Sequence, residues 1–228
     1  MNKKMKEGYI KRENRKKILL ITDDIRVHSG VAQIGREMVL NTCHHYNWTQ
    51  IAGAVDHPDQ GKQIIMDDEI NKQSGLEDAS VSLYPAQGYG DINLLRTIMA
   101  REKPDAIFLI TDPRYFAWLF HAEDEVRSKI PIIYLNIWDN YPAPVNINKL
   151  VLGDNGKNKI FKYVPHGLNN TIFSILDKDN PELLRFKNNI GLKEDNFLHL
   201  IYNSRNIRRK QPSNIIMAYR LFTDQLSP

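Results

Sequence analysis

Short apolar segments alternate with segments of helical periodicity along most of the chain. Residues 17–22 (KILLIT) have a nearly continuous apolar centre, which is typical of a strand buried in a parallel sheet. Helical spacing of Val31, Ile34 and Met38 predicts a helix directly afterwards. Further strands are predicted over 48–55, 79–83, 105–110, 132–136, 160–164 and 197–202, and further helices over 91–102, 115–127, 181–190 and 212–222. This alternation predicts an α/β fold, a parallel sheet with helices on both faces.

In such folds, ligands bind outside the carboxyl ends of the strands. We therefore expect functional residues directly after Thr22, Ile110, Asn136, Val164 and Tyr202. After the first strand, Ser29 can cap the next helix, and Gly30 can let a phosphate approach the backbone closely. A plain strand-to-helix turn accounts for both residues equally well. The spacing of Gly30 and Gly35 does not match the dinucleotide fingerprint GxGxxG, which disfavours a nicotinamide enzyme.

Two later strand ends carry contrasting signals. Asp112 followed by Pro113 is a common helix start, so a structural cap is favoured over a catalytic carboxylate. The loop over 136–144 combines aromatic rings, amides and a carboxylate, which suit a sugar or another polyol. Its candidate residues are Trp138, Asp139, Asn140 and Tyr141. The alternative is a stiff crossover that is packed by its own aromatic rings.

The loop over 203–211 places four cations between a predicted strand and a predicted helix. A helix start repels cations through its dipole, so this placement is unfavourable unless an anion binds there. Backbone N–H groups, together with Arg205 and Lys210, would form a site for a phosphate or a diphosphate. The alternative is a solvated basic loop.

Positive charge is concentrated at the start of the chain. The 228 residues carry a net charge of +4, but residues 1–17 hold eight Lys/Arg against two Glu, so the remainder is slightly acidic. Residues 1–17 are predicted to form a flexible basic head, and peripheral contact with an anionic membrane or, less favoured, with nucleic acid is the alternative. A single cysteine and the lack of a long apolar segment favour a cytoplasmic location. The scattered histidines predict no metal site.

Three segments resemble family-4-type (group 1) glycosyltransferases. KYVPHGLNNTIF, at 162–173, is similar to the VPNG-type stretch that closes their N-terminal domain. YNSRNIRRKQPSNIIMAYRLF, at 202–222, is similar to their GR…KG segment, with Arg205 and Lys210 at matching spacing. HSGVAQIGREMV, at 28–39, resembles the loop and helix after their first strand. The resemblance implies a GT-B fold, two Rossmann-like domains with a cleft between them. It also implies retaining transfer from a nucleotide diphosphate sugar, without a metal or a cofactor.

The same resemblance implies roles for particular residues. Arg205 and Lys210 would bind the diphosphate of the donor, and Gly30 would let that diphosphate approach the N-terminal domain. Asp139 is the candidate catalytic residue, and its loop would face the sugar or the acceptor together with His166. The acceptor would be a glycan, a lipid or a protein.

The resemblance also predicts the domain organisation. Residues 18–175 would form the N-terminal Rossmann-like domain, and residues 176–228 would form a linker and the first βα unit of an incomplete donor-binding domain. The family's acidic glutamate-pair region has no counterpart, and neither has a strand that would lie between Pro144 and Val145. We therefore expect weak turnover or none by these 228 residues alone. The alternative is a non-catalytic protein of the same fold that binds a sugar nucleotide or a phosphate.

Overall fold

The computed structural model describes residues 7–137, 174–191 and 211–226. The chain divides into two compact units, Met1–Phe161 and Lys162–Pro228. The first unit contains a six-stranded sheet, and the second contains two described helices. Each unit is described by itself below.

The sheet of the first unit is parallel except for one short strand. Its strands are β1 (Lys16–Asp23), β2 (Tyr46–Gly53), β3 (Ile64–Ile65), β4 (Val81–Pro85), β5 (Ala106–Thr111) and β6 (Ile132–Asn136). Their order across the sheet is β3-β4-β2-β1-β5-β6, and β3 pairs with β4 in the antiparallel direction. Strand β1 lies between β2 and β5, with Ile21 opposite Ile51 on one side and Leu109 on the other. This arrangement confirms the predicted α/β class and a Rossmann-like, mostly parallel sheet.

Helices cover both faces of this sheet. They are α1 (Gly30–Thr42), α2 (Asp67–Ser74), α3 (Ile92–Glu102), α4 (Ala117–His121) and α5 (Glu123–Arg127). One apolar cluster joins α3, α4 and α5 to the sheet, and the other joins α1 and α2 to it. Leu19, Leu20 and Ile21 of β1 are fully buried and alternate between the two clusters. Successive residues of β1 are apolar because side chains on both faces of the strand are buried under helices.

Two elements of the first unit are not predicted from the sequence. Strand β3 has only two residues, which is too short to show a period. Helix α2 buries a single residue, Ile70, so the segment DDEINKQS shows almost no apolar stripe. Its end is set by Gly75, which adopts the left-handed conformation that glycine tolerates best (φ 74°).

The segment predicted as one helix over 115–127 is divided. It begins as a 3₁₀ turn, Pro113–Phe116, and continues as α4 and α5. Ala122 leaves the helical region (φ −105°, ψ 14°) between the two helices. Helix α4 contributes Leu119 and helix α5 contributes Val126 to the same apolar cluster. The helical spacing of apolar residues is therefore kept across the break.

Residues 9–17 of the basic head are attached to the first unit. The side chain of Arg15 is fully buried and donates to both carboxylate oxygens of Asp78 at 2.7 Å. Tyr9 donates to the same carboxylate at 2.7 Å, and Arg12 forms an ion pair with Asp67 at 2.8 Å. Burial favours the neutral form of Asp78, but the hydrogen bonds from Arg15 and Tyr9 outweigh it and hold its pKa below the usual value. These cations bind the protein's own carboxylates.

The second unit contributes helices α6 (Pro181–Asn189) and α7 (Pro212–Leu226), where helices are predicted over 181–190 and 212–222. The Asn180 side chain caps α6 by accepting from the N–H groups of Glu182 and Leu183, and Pro181 occupies the first turn. The strands predicted over 160–164 and 197–202 lie outside the described residues. Among the described helices, none combines the length and the apolar character needed to cross a lipid bilayer.

Candidate functional site at the carboxyl edge of the sheet

The strand order reverses direction at β1. From β1 the chain builds the sheet outwards through β2 and β4, and then returns to the other side of β1 with β5 and β6. The loops that follow β1 and β5 therefore diverge at the carboxyl edge, and open α/β sheets bind ligands in such a crevice. Residues 23–30 and 111–116 form its two sides.

A buried carboxylate lies at the start of this crevice. Asp23 is 7% exposed, and its two carboxylate oxygens accept from the hydroxyls of Ser29 at 2.5 Å and Tyr89 at 2.6 Å. The Ser29 oxygen also accepts from the N–H of Ala32 at 2.9 Å, which confirms the predicted helix cap. The carboxylate, the capping hydroxyl and the tyrosine thus hold one another in a fixed arrangement.

The neighbouring strand β2 fixes the loop after β1. The buried amide of Gln50 donates to the backbone oxygen of Asp23 at 2.8 Å and accepts from the N–H of Ile25 at 3.3 Å. The N–H of Asp24 donates to the backbone oxygen of Gly53 at 2.9 Å. Because buried backbone groups need partners, these bonds define the path of the loop before helix α1 begins.

Tyr89 reaches Asp23 because the chain after β4 packs tightly against the end of β2. A Cβ atom on Gly53 would lie 2.5 Å from the backbone oxygen of Gly88 and 2.7 Å from the Tyr89 ring. Only glycine permits this approach. The Tyr89 ring lies 4.7 Å from the ring of Tyr115, which is 52% exposed. The crevice therefore exposes the ring of Tyr115, which packs on the buried ring of Tyr89.

The end of β5 carries a strained residue and a cap. Thr111 has a φ of 142°, a region that branched residues rarely adopt and that costs about 1 to 3 kcal/mol. Its backbone oxygen accepts from the Tyr134 hydroxyl at 2.9 Å, which holds this conformation. The Asp112 side chain accepts from the N–H of Arg114 at 2.9 Å, which confirms the predicted structural cap.

The two loops carry more negative than positive charge. Residues 23–30 and 111–116 contain three aspartates and two arginines. Arg26 donates to both carboxylate oxygens of Asp24, at 2.9 and 2.6 Å, and Arg114 does the same to Asp112. Arginine–carboxylate pairs of this geometry satisfy both partners. Both arginines of these two loops are therefore engaged by carboxylates of the same loops.

Several ionisable groups here are shifted by their surroundings. Burial raises the pKa of Tyr89 well above its usual value, and the hydrogen bond to Asp23 raises it further. Burial also raises the pKa of Tyr134. Burial acts to raise the pKa of Asp112 too, but the hydrogen bonds from Arg114 outweigh it and lower that pKa. At neutral pH the edge thus holds protonated Tyr89 and Tyr134 and an ionised Asp112.

The raised pKa of Tyr89 predicts a pH dependence of stability. The unfolded chain loses the tyrosine proton near pH 10, whereas the folded chain keeps it, so the free energy of unfolding falls as the pH rises above about 10. In Tyr89→Phe this fall should be shallower, as measured by urea unfolding at a series of alkaline pH values. Equal slopes in the two proteins would contradict the placement of Tyr89 on Asp23.

The site residues singled out from the sequence divide into two groups. Gly30 is the first residue of α1, and a Cβ atom built there would meet nothing within 4 Å. The others lie outside the described residues and stay predictions: Trp138, Asp139, Asn140, Tyr141, His166, Arg205 and Lys210.

Sequence reasoning places Asp23 at an expected ligand position, directly after Thr22, but does not single out its carboxylate, and it does not single out Tyr89 or Tyr115. The expected ligand positions omitted the ends of β2 and β4, although the rule for parallel sheets applies to every strand. The available signal is an aromatic residue between Gly88 and Gly90, in the loop that follows β4. Both glycines have positive φ, which marks a tight turn that carries the ring back towards the sheet.

Within residues 7–137, 174–191 and 211–226, no group of three or more His, Cys, Asp or Glu side chains could hold a metal ion. Comparison with protein-family models, with curated proteins and with solved structures finds no match to this chain.

Proposed function

We propose that the chain is a glycosyltransferase-type protein with the GT-B architecture, which binds a nucleotide diphosphate sugar and transfers the sugar with retention. The observation that carries this proposal is the crevice at the carboxyl edge. Its first side is the loop and helix after β1, the segment 28–39 in which the sequence resembles family-4-type glycosyltransferases. A buried aspartate, a capped helix start and a supported aromatic ring lie together there.

The charge of this edge suggests which part of the donor would contact it. Arg26 and Arg114 are both engaged by carboxylates, so the described edge offers little to a diphosphate. Sugar hydroxyls, in contrast, bond well to carboxylates, and sugar rings pack on aromatic faces such as Tyr115. The sugar or the acceptor would therefore lie at this edge, beside the loop of Asp139.

The diphosphate would be bound by the basic loop over 203–211. Arg205 and Lys210 would neutralise the charge that develops on the leaving diphosphate. In the front-face reaction, the bond between the anomeric carbon and the phosphate oxygen breaks while the acceptor oxygen bonds to the same face. The acceptor proton passes to the departing phosphate oxygen, so the step needs no cofactor.

A titration of sugar nucleotides tests this proposal. Calorimetry with UDP-glucose, UDP-N-acetylglucosamine and GDP-mannose should detect binding of at least one of them. The double variant Arg205→Ala, Lys210→Ala should weaken it about thirtyfold, since two charge-assisted contacts contribute about 1 kcal/mol each when partly solvated. The double variant Lys62→Ala, Lys72→Ala removes two exposed cations elsewhere and should change the affinity less than twofold.

Two outcomes would contradict the proposal. One is the absence of binding of any of the three donors by the unmodified chain. The other is an equal loss of affinity in the two double variants, because that would show a nonspecific effect of net charge.

A further inference from the structure

A second concave site lies between helices α3 and α5, away from the crevice. It is a cavity of about 320 Å³ whose floor is apolar, with Leu95 and Met99 from α3 and Val126 from α5. Its lining continues to Pro104 and Ile130, which lie just before β5 and β6. The groove therefore extends from between the helices towards the amino edge of the sheet, and the proposed glycosyltransferase chemistry does not use it.

An ion pair bridges the two helices over this floor. Arg96 of α3 donates to both carboxylate oxygens of Glu125 of α5, at 2.9 and 2.6 Å. Lys129 lies farther from the same carboxylate, at 3.9 Å, and Lys103 ends α3 in a left-handed conformation (φ 48°). The pair of Arg96 and Glu125 is neutral overall, so the lining keeps an excess of two positive charges, on Lys103 and Lys129.

We propose that this groove binds a medium-chain carboxylate, with its alkyl chain on the apolar floor and its carboxylate between Lys103 and Lys129. A water molecule takes about 30 Å³ in the liquid, so the cavity holds about ten groups of that size. That matches an alkyl chain of about eight to ten carbons. The excess of positive charge at the rim selects an anionic over a cationic headgroup.

The test compares ligands that differ in one property at a time. Calorimetric titration with decanoate should show binding, while hexanoate should bind more than a hundredfold more weakly, because each buried methylene is worth about fourfold in affinity. Decylamine has the same chain with a positive headgroup and should bind at least about tenfold more weakly than decanoate.

Variants at exposed positions locate the site without touching the core. Ala100 is exposed and lines the groove, so Ala100→Trp should fill it and weaken decanoate binding about tenfold or more. Thr97 is exposed on the same helix and does not line the groove, so Thr97→Trp should leave binding unchanged. Lys103→Glu with Lys129→Glu should abolish the preference for the anion, whereas Lys62→Glu with Lys72→Glu should keep it.

Each contrary result would overturn the proposal. Undetectable decanoate binding would do so, as would equal binding of decanoate and decylamine, or equal loss in Ala100→Trp and Thr97→Trp. If sedimentation instead shows a dimer that only Ala100→Trp dissociates, the groove is covered by a second copy of the chain rather than by a carboxylate. None of these results depends on whether the chain binds a sugar nucleotide.

Discussion

Replacing Arg15 with methionine should lower the free energy of unfolding by about 3 kcal/mol. The guanidinium is fully buried and makes bonds to three different groups. Its Nε donates to the backbone oxygen of Ile10 at 2.7 Å, and its Nη1 donates to the backbone oxygen of Asp78 at 2.8 Å. The substitution leaves both oxygens and the Asp78 carboxylate without these donors.

Two features keep this effect from being larger. The Asp78 side chain is 30% exposed, so water can replace part of what it loses, and methionine fills part of the volume of the arginine stem. Tyr9 also still donates to the Asp78 carboxylate. The expected loss in the free energy of unfolding therefore lies at the lower end of the range for breaking a buried ion pair.

Lys16→Met is the matched control for Arg15→Met. Lys16 pairs with Asp105 at 2.7 Å, but its side chain is 72% exposed, and exposed pairs contribute less than about 1 kcal/mol. Urea unfolding followed by tryptophan fluorescence and far-UV circular dichroism measures both variants. A loss in Arg15→Met no larger than in Lys16→Met would show that the head is not anchored through this residue.

The second large effect is expected at Gly53. Gly53→Ala should lower the free energy of unfolding by about 2 to 3 kcal/mol, because the new methyl group meets the backbone oxygen of Gly88 rather than a flexible side chain. Moving that oxygen would also break its hydrogen bond with the N–H of Ala54, at 2.8 Å. The Tyr89 ring would have to move as well, which would disturb its bond to Asp23.

Gly30→Ala is the control at the other glycine of the crevice. Nothing lies within 4 Å of a Cβ atom there, and alanine favours a helix over glycine, so stability should be unchanged or rise by up to about 1 kcal/mol. Denaturant unfolding compares the two variants directly. Equal losses in Gly53→Ala and Gly30→Ala would contradict the close packing between the end of β2 and the Tyr89 turn.

The elements that sequence patterns predict well are those determined by residues close to one another along the chain. Strand β6, Ile132–Asn136, coincides with the strand predicted over 132–136, because its apolar run is bounded by Pro131 and by Asn136. The helix caps at Ser29 and Asp112 were also predicted, since a cap depends on side chains within three residues. Local chemistry therefore carries most of the information for the sheet and its helix starts.

Long-range contacts explain what the sequence did not predict. Arg15 and Asp78 are separated by 63 residues, and Tyr89 and Asp23 by 66, so no local period connects either pair. The head was therefore expected to be flexible, although its Arg15 is buried. The strained Thr111 is equally invisible in the sequence, because threonine is an ordinary residue for the end of a strand.

The most direct test of the central claim is to find which edge of the sheet a sugar nucleotide contacts. Backbone amide shifts of the ¹⁵N-labelled chain, followed during titration with UDP-glucose or GDP-mannose, report this location. The proposed site predicts the largest changes at Ser29, Gly30 and Ala32 and around Thr111 to Tyr115. Changes confined to the opposite edge, around Lys16 and Asp105, or no changes at all with either donor, would contradict it.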